Sequence, residues 1–319
     1  MTTQPYVMIL GDFACRMPQV VYWYESIHVP RLCNRFRELG WFPLVTHYGD
    51  PHLLEQVRDL EVAAVVPATC ILDEYRQLAE SVCAALAEAG VLLIPSLASV
   101  LAYENKLLQV VRAELAGIPT PRSYAVATFE DAHRAARDLG FPVIVKTPHG
   151  FASKGVHKID NEGDLLRLLR SEVTAFEPGT AGLCPLVVQE FVPGLKGDWK
   201  ILLFGEKAFP LWRKVPEGDF RASGSGLWEF SSPPDAILDF ALQVKQALQV
   251  PWMSLDVVVT PDGPLVTEYQ VVHFGLTACV RAKHHFRRAG PGEWIREDNP
   301  LRLEEAMADE VVGMIAHHG

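Results

Sequence analysis

MSLDVVVTPDGPLVTEYQ, residues 253–270, is the stretch from which the rest of the chain can be read. Met253–Thr260 and Leu265–Tyr269 are rich in β-branched and aromatic residues, and Pro261-Asp262-Gly263 between them is a turn signal. In a hairpin symmetric about Asp262, residues whose numbers add to 524 face each other. Asp256 then opposes Glu268, Val258 opposes Val266 and Ser254 opposes Gln270, all six on one face because side chains alternate along a strand. Two carboxylates held opposite each other repel. Either they share a proton or a cation bridges them. Oxygen ligands from Asp256, Glu268 and Gln270 suit Mg²⁺, which takes few protein ligands and leaves room for phosphate oxygens. The competing reading is a bulge that turns one carboxylate to solvent.

Upstream lies a second hairpin, FPVIVKTPHGFASKGVHKI, residues 141–159. Phe141–Val145 is an apolar run ending in Lys146, Thr147–Gly155 is a loop of small and turn-forming residues, and Val156–Ile159 is a second run. Such a loop can lay backbone N–H groups and the Ser153 hydroxyl over a polyphosphate, with Lys146 and Lys154 beside it. No helix follows a Gly-Lys-Ser/Thr as in a Walker loop, and the GxGxxG spacing is absent. Taken alone, the stretch reads equally well as an ordinary surface hairpin.

Before these hairpins, apolar runs at Tyr6–Leu10, Pro43–Thr46, Ala63–Pro67 and Leu92–Pro95 alternate with helical patterns near His28–Leu39, Pro51–Asp59 and Leu72–Ala89. That alternation predicts a parallel sheet covered on both faces. Gly11-Asp12 lies at a strand's carboxyl end but lacks a nucleotide fingerprint. Ser96 is expected to cap one helix running to Ala116, with Lys106 on its solvated side. Thr128–Asp131 has the form of a capping box for a helix to Leu139, and Asn161 opens another to Arg170. Ser171–Cys184 reads as loop. Leu186–Phe191 is a buried strand whose polar end, Gln189-Glu190, makes sense facing a ligand, and Val192-Pro193-Gly194 breaks it. Strands Lys200–Phe204 and Lys207–Trp212 flank Gly205-Glu206, and Lys214–Gly226 is a polar loop. Helices follow at Asp235–Leu248 and Arg302–His317. The cluster Arg281–Arg288 reads as a solvated basic helix, with an anion-binding surface as the alternative. His149 and His273 are read as positioning or packing residues, with proton transfer as the alternative.

The chain's 319 residues suffice for about two domains. Apolar content of 49% and charged content of 21% are those of a globular protein. A formal net charge of −10 argues against nucleic-acid binding as the main activity. No apolar run has the length of a bilayer span and Met1–Pro5 carries no export signal, so a cytoplasmic protein without a membrane partner is expected. The six cysteines have no paired spacing, which favours reduced, packed thiols over disulfides or a zinc site.

Placed in order, NKLLQVVRAELAGIPTP (105–121), FPVIVKTPHGFASKGV (141–156), QEFVPGLKGDWKILLFGEKAFPLWRK (189–214), EGDFRAS (217–223) and LDVVVTPDGPLVTEYQ (255–270) resemble the ATP-grasp superfamily, over roughly Pro95–Gly275. The likeness is greatest to the branch that adds amino acids to a carboxylate, the ribosomal-protein glutamate ligase and lysine-biosynthesis carrier ligase group. D-alanine–D-alanine ligases are more distant. The resemblance implies an α/β and α+β architecture, with an N-terminal parallel-sheet pre-ATP-grasp domain (1–120) followed by a two-lobed ATP-grasp domain (121–193 and 194–319).

By the same resemblance, Lys106 and Lys146 hold the nucleotide phosphates and Thr147–Gly155, including Ser153, Lys154 and Gly155, closes over them. Glu190, Phe191 and Val192 frame the adenine, and Asp198 reaches the ribose. Asp256, Glu268 and Gln270 bind Mg²⁺, with Mn²⁺ as the alternative, and Arg213 and Arg221 lie near an acyl phosphate. The implied activity is ATP-dependent amide formation between a small carboxylate and an amine, amino acids among them, releasing ADP and phosphate. Self-association recurs in such folds. Gln270 stands where the family has Asn, and Val271–Gly275 replaces its proline-glycine turn, which puts the metal geometry and the acceptor in question. A small-molecule kinase and a nucleotide-binding protein without catalysis are the rival classes.

Overall fold

The computed structural model describes residues 5–18, 26–68, 73–147, 155–173, 183–298 and 302–318. Its first part is β1 (Tyr6–Gly11), the two-residue pair β2 (Met17–Pro18) and β3 (Ser26–Ile27), α1 (Val29–Glu38), β4 (Phe42–His47), α2 (Leu53–Asp59), β5 (Val62–Pro67) and α3 (Asp73–Glu88). The parallel order is β4-β1-β5. Val7, Met8, Ile9 and Leu10 are all fully buried, as a central strand covered on both faces requires. Val7 and Ile9 face one core, while Met8 and Leu10 face another with Leu53, Val57 and Leu86. The fourth strand expected at Leu92–Pro95 is reduced to one parallel bridge between Leu93 and Val65.

The single helix expected from Ser96 to Ala116 is two, α4 (Leu97–Leu101) and α5 (Lys106–Leu115). Glu104 adopts φ +48° at the break, and the Asn105 side chain caps α5 by accepting from Leu108 N. Ser96 makes no cap bond; its hydroxyl meets that of Ser99.

β6 (Ser123–Thr128), α6 (Phe129–Leu139), β7 (Val143–Lys146), β8 (Val156–Ile159), α7 (Glu162–Val173) and β9 (Leu183–Glu190) form a four-stranded antiparallel sheet ordered β6-β9-β7-β8. Thr128 Oγ1 accepts from Asp131 N to start α6, and Asn161 Oδ1 accepts from Asp164 N to start α7. Both helices cover one face, where Val143, Val145 and Val188 pack on Ala136, Leu165 and Leu169. Each fully buried leucine there contributes roughly 2 kcal/mol. By alternation the opposite face carries Ile144, Lys146, Val187 and Gln189.

The remaining elements are β10 (Gly197–Phe204), β11 (Lys207–Lys214), β12 (Trp228–Glu229), α8 (Asp235–Ala247), β13 (Trp252–Thr260), β14 (Gly263–Gln270), α9 (Thr277–Arg281), β15 (His285–Gly290), β16 (Glu293–Glu297) and α10 (Leu303–His318). They build a seven-stranded sheet, β14-β13-β10-β11-β15-β16, with β12 beside β11. On one face Ile201, Leu203, Met253 and Leu255 pack against α8. On the other, Leu202, Phe204, Phe209 and Leu211 share a core with Met307 and Val311 of α10 and with Val7 and Ile9 of the first sheet. Arg281–Arg288 is not the expected basic helix. Arg281 ends α9 over the Trp228 ring, whereas Arg287 and Arg288 lie in β15 and pair with Glu297 and Glu206. Among the described residues no helix is long and apolar enough to cross a membrane, and Cys15, Cys33, Cys83 and Cys279 are not joined in disulfides.

Candidate active site

The second face of the large sheet changes character along its strands. Where Leu202 and Phe204 of β10 enter the core, the preceding residues of the same parity are Lys200 and Asp198. The matching residues on neighbouring strands are Arg213, Ser254 and Asp256. Asp198 and Arg213 are cross-strand partners, both buried. Arg213 Nε donates to Asp198 Oδ1 at 2.7 Å and Nη2 to Oδ2 at 2.6 Å. The same Nη2 lies 2.7 Å from Asp256 Oδ2. Lys200 Nζ donates to Ser254 Oγ at 2.7 Å and lies 3.7 Å from Asp256 Oδ1. Two carboxylates and two cations thus balance in a site where an unpaired charge would be costly.

Burial pushes the Asp198 carboxyl up, and Arg213 only partly offsets it. Burial acts the same way on Asp256, but Arg213 and Lys200 outweigh it and hold that carboxyl below its ordinary value. Arg213 is more firmly protonated than a free guanidinium, because Asp256 and Asp198 overcome its own burial.

The metal hairpin has the expected register at its chemical end, with Asp256 opposite Glu268 and Ser254 opposite Gln270. Beyond it Val258 meets Leu265 instead of Val266, because a bulge leaves Thr267 without a partner. The freed Thr267 carbonyl accepts from Lys146 Nζ at 3.1 Å, across from the small sheet. Gln270 turns its carbonyl to the Glu104 N–H at 3.4 Å and its NH₂ to Glu268 Oε1 at 3.2 Å. In this orientation it offers no oxygen toward Glu268. Protein cations, not a shared proton, surround Asp256. Its Oδ1 is buried and accepts no hydrogen bond, and with Glu268 it forms an oxygen donor pair that fits Mg²⁺. Among the described residues no cluster of three His, Cys, Asp or Glu side chains is placed to hold a metal.

Between the two sheets is a cleft lined by Lys106, Ile144, Lys146, Phe191, Val192, Asp198, Arg221, Val258 and Glu268, among others. Lys106, expected in solvent, is 5% exposed at the first turn of α5 and points into it. Burial pushes the Lys146 ammonium down to about 8, with Glu268 opposing and the Lys106 charge adding to the effect. Phe191 meets Phe220 edge-on at 6.4 Å and carries Lys158 over its ring at 5.1 Å. Glu190 stands at the rim, 2.9 Å from Arg122. Arg221 is also at the rim, paired with Asp219 at 3.0 Å. Gly155 has φ +72° and its carbonyl accepts from Thr147 N at 2.9 Å, closing the neck of the glycine-rich loop. Ser153, Lys154 and His149 lie outside the described residues.

His273 is away from the cleft. Tyr103 Oη and its Nδ1 are 3.2 Å apart, and burial pushes the imidazole down to about 4, so it is neutral at pH 7. Asp12 is taken up by Arg16 and by the N–H groups of Ala14 and Arg16, leaving the Gly11-Asp12 turn closed on itself. The sequence places Ser254 on the Asp256 face without giving it a role, and it singles out neither Lys200 nor Thr267; for Lys200 the signal is that it falls on the same face.

Residues 105–196 match the family described as "Carbamoyl-phosphate synthase L chain, ATP binding domain". A D-alanine–D-alanine ligase of Pseudomonas entomophila is 41% identical over 70 residues, 22% of this chain and 22% of that protein. Among solved structures, a RimK domain ATP-grasp protein from Sphaerobacter thermophilus superposes with a TM-score of 0.59 at 15% identity, covering 97% of this chain and 100% of that one. A D-alanine–D-alanine ligase from Bacillus anthracis, solved with ATP, superposes with a TM-score of 0.60 at 14% identity over 100% of both chains. The matched stretches span 18% to 45% of the length of the curated relatives.

Proposed function

Because this chain belongs to the ATP-grasp superfamily, we propose that it is an ADP-forming ligase that joins a carboxylate to an amine. The observation that carries this reading is the buried Asp198–Arg213–Asp256–Lys200 constellation facing Lys106 and Lys146 across one cleft. Lys106 and Lys146 take the triphosphate, and Phe191, Val192, Ile144 and Val258 supply apolar walls for the adenine, with Glu190 at its rim. Asp256 and Glu268 hold Mg²⁺. When bound, that ion neutralises charge on the phosphate oxygens during transfer. A substrate carboxylate attacks the γ-phosphate, giving an acyl phosphate and ADP. An amine then attacks the acyl carbon, and phosphate leaves. Arg213 is held rigidly where charge develops on the transferring phosphoryl group and on the later oxyanion, which is where a fixed donor lowers the barrier most. Arg221, on the exposed loop, approaches the same region from the rim. Residues 1–120 are the pre-ATP-grasp unit, which contributes Lys106 to the cleft, and 121–193 and 194–319 are the two nucleotide-clamping lobes.

The test is nucleotide turnover with MgATP and pools of carboxylates, amines, amino acids and short peptides. Peptides are included because one structural relative is a macrocyclase bound with its precursor peptide. ADP and phosphate rising only when carboxylate and amine are both present, with a new amide mass, is the expected result. A phosphorylated product that needs no amine would replace the ligase with a kinase. ATP binding without turnover across all pools would favour a non-catalytic nucleotide binder.

A further inference from the structure

We infer that Arg281, seated on the Trp228 ring, binds a carboxylate that the activated acid keeps, so that this acid is dicarboxylic, acidic amino acids among them. This rests on the reading of the charged face as the site of carboxylate activation. β12 extends that face by one strand. Trp228 is the cross-strand partner of Arg213, as Asp198 is on the other side, and directly paired residues project to the same face. Glu229, one residue on, projects to the opposite face and pairs with Lys214. α9 lies on the same side of the sheet. Its Ala278 and the preceding Leu276 share a core with Leu202, Phe209 and Leu211, whose strands also carry Lys200 and Arg213. Arg281, the last residue of α9, reaches Trp228 from there, its guanidinium carbon 5.1 Å from the ring centroid.

The charges on this face balance except at that edge. Asp198 and Asp256 neutralise Arg213 and Lys200. Of the arginines in the 281–288 cluster, Arg287 and Arg288 are spent on Glu297 and Glu206. Arg281 meets no acid among the described residues, and its contact is the ring. An aromatic platform restrains a guanidinium and leaves its N–H edge free to take a carboxylate through two bonds. Trp228 itself is 38% exposed, an apolar surface between the two arginines. It lies one strand from Arg213, about 5 Å, and Arg281 stands one ring contact farther, so a ligand with a carboxylate at each arginine spans about 5–10 Å. Glutarate to pimelate have that reach, with a methylene chain to lay across the indole.

The experiment is calorimetric titration of the MgADP-loaded full chain with succinate, glutarate, pimelate and L-glutamate, each compared with its monoamide. The expected result is that at least one diacid binds about tenfold or more tighter than its monoamide. Arg281→Gln should bring that ratio to within about twofold of unity, and Arg281→Lys, which keeps the charge but not the fork, should retain part of it. MgATP affinity and melting temperature should match the wild type in both variants, because Arg281 is exposed and lies outside the nucleotide cleft. Diacids that gain nothing over their monoamides, or a preference that survives Arg281→Gln, would overturn the inference. Turnover with MgATP and hydroxylamine, which traps an acyl phosphate as a hydroxamate, is read in parallel. Diacid binding that depends on Arg281, without hydroxamate or ADP, would leave the carboxylate site standing and refute the ligase reading alone.

Discussion

ATP affinity should fall as pH rises from 7 to 9, and Lys146 is the reason. Its ammonium is enclosed between the two sheets, donates to the Thr267 carbonyl, and titrates at about 8 instead of 10.5 because burial disfavours the charged form. A triphosphate is held by the protonated lysine only. Apparent affinity then scales with the protonated fraction, which drops from roughly nine-tenths at pH 7 to roughly one-tenth at pH 9, a weakening of about tenfold. Stability of the nucleotide-free protein runs the other way. Between about 8 and 10.5 the unfolded chain holds a proton that the folded one has lost, so folding becomes more favourable with rising pH in that window. The assay is calorimetric titration of MgATP at half-unit pH steps, in wild type and in Lys146→Arg, whose guanidinium keeps its charge throughout. Any titration of ATP itself is common to both proteins and cancels in the comparison. Wild type should lose about tenfold relative to the arginine variant across that range. Parallel slopes in the two proteins would refute the assignment of Lys146 to the phosphates.

Three further outcomes follow from the same geometry. Asp256→Asn keeps the shape but removes a charge that faces Arg213 and Lys200. We expect ADP release to fall by about a hundredfold or more and stability by up to about 3–5 kcal/mol. Unchanged Mg²⁺ dependence of turnover would exclude Asp256 as a metal ligand. Gly155→Ala places a methyl group against Thr147 Oγ1 at a left-handed φ of +72°. It should weaken nucleotide binding by about 1–2 kcal/mol, and adding Thr147→Ala should recover part of that loss. Leu165→Ala, in the fully buried core beneath α6 and α7, should cost about 2–5 kcal/mol. Thermal melting reads that loss, and ATP affinity in the folded fraction should not change.

Much of the frame was legible because it is local. Alternating apolar runs placed the first three parallel strands, and the two runs flanking Pro261-Asp262-Gly263 put Asp256 opposite Glu268, a pairing that in the structure depends on the bulge at Thr267, since next to the turn Val257 meets Val266. What sequence spacing missed was set by distant partners. Nothing near Thr267 marks it as a bulge residue; its freed carbonyl is matched by a lysine 121 positions earlier. Lys106 looked solvated because its helix was drawn from Ser96. Asn105, the cap that starts α5 one residue before it, was the overlooked signal. Asp198 and Arg213 were both singled out, but separately. Counting outward from Gly205-Glu206 with the rule used for the other hairpin would have paired them, since their numbers sum to 411 as those of Phe204 and Lys207 do. The basic cluster was misread as a helix because Arg287 and Arg288 find acids only in three dimensions, on β16 and the β10–β11 turn.

The core that joins Val7 and Ile9 to Met307 and Val311 also has a consequence for how the protein is made. A ribosome releases β1 and α1 long before α10, so the face of the first sheet that carries Val7 and Ile9 is covered only in part, by Leu32, Cys33 and Phe36 of α1, until α10 has been made. Contacts of such long sequence separation form late and leave apolar strands open to misassembly in the interval. Nascent chains arrested before Arg302 should therefore be cut by protease within residues 5–68, and become resistant only once the last helix has emerged.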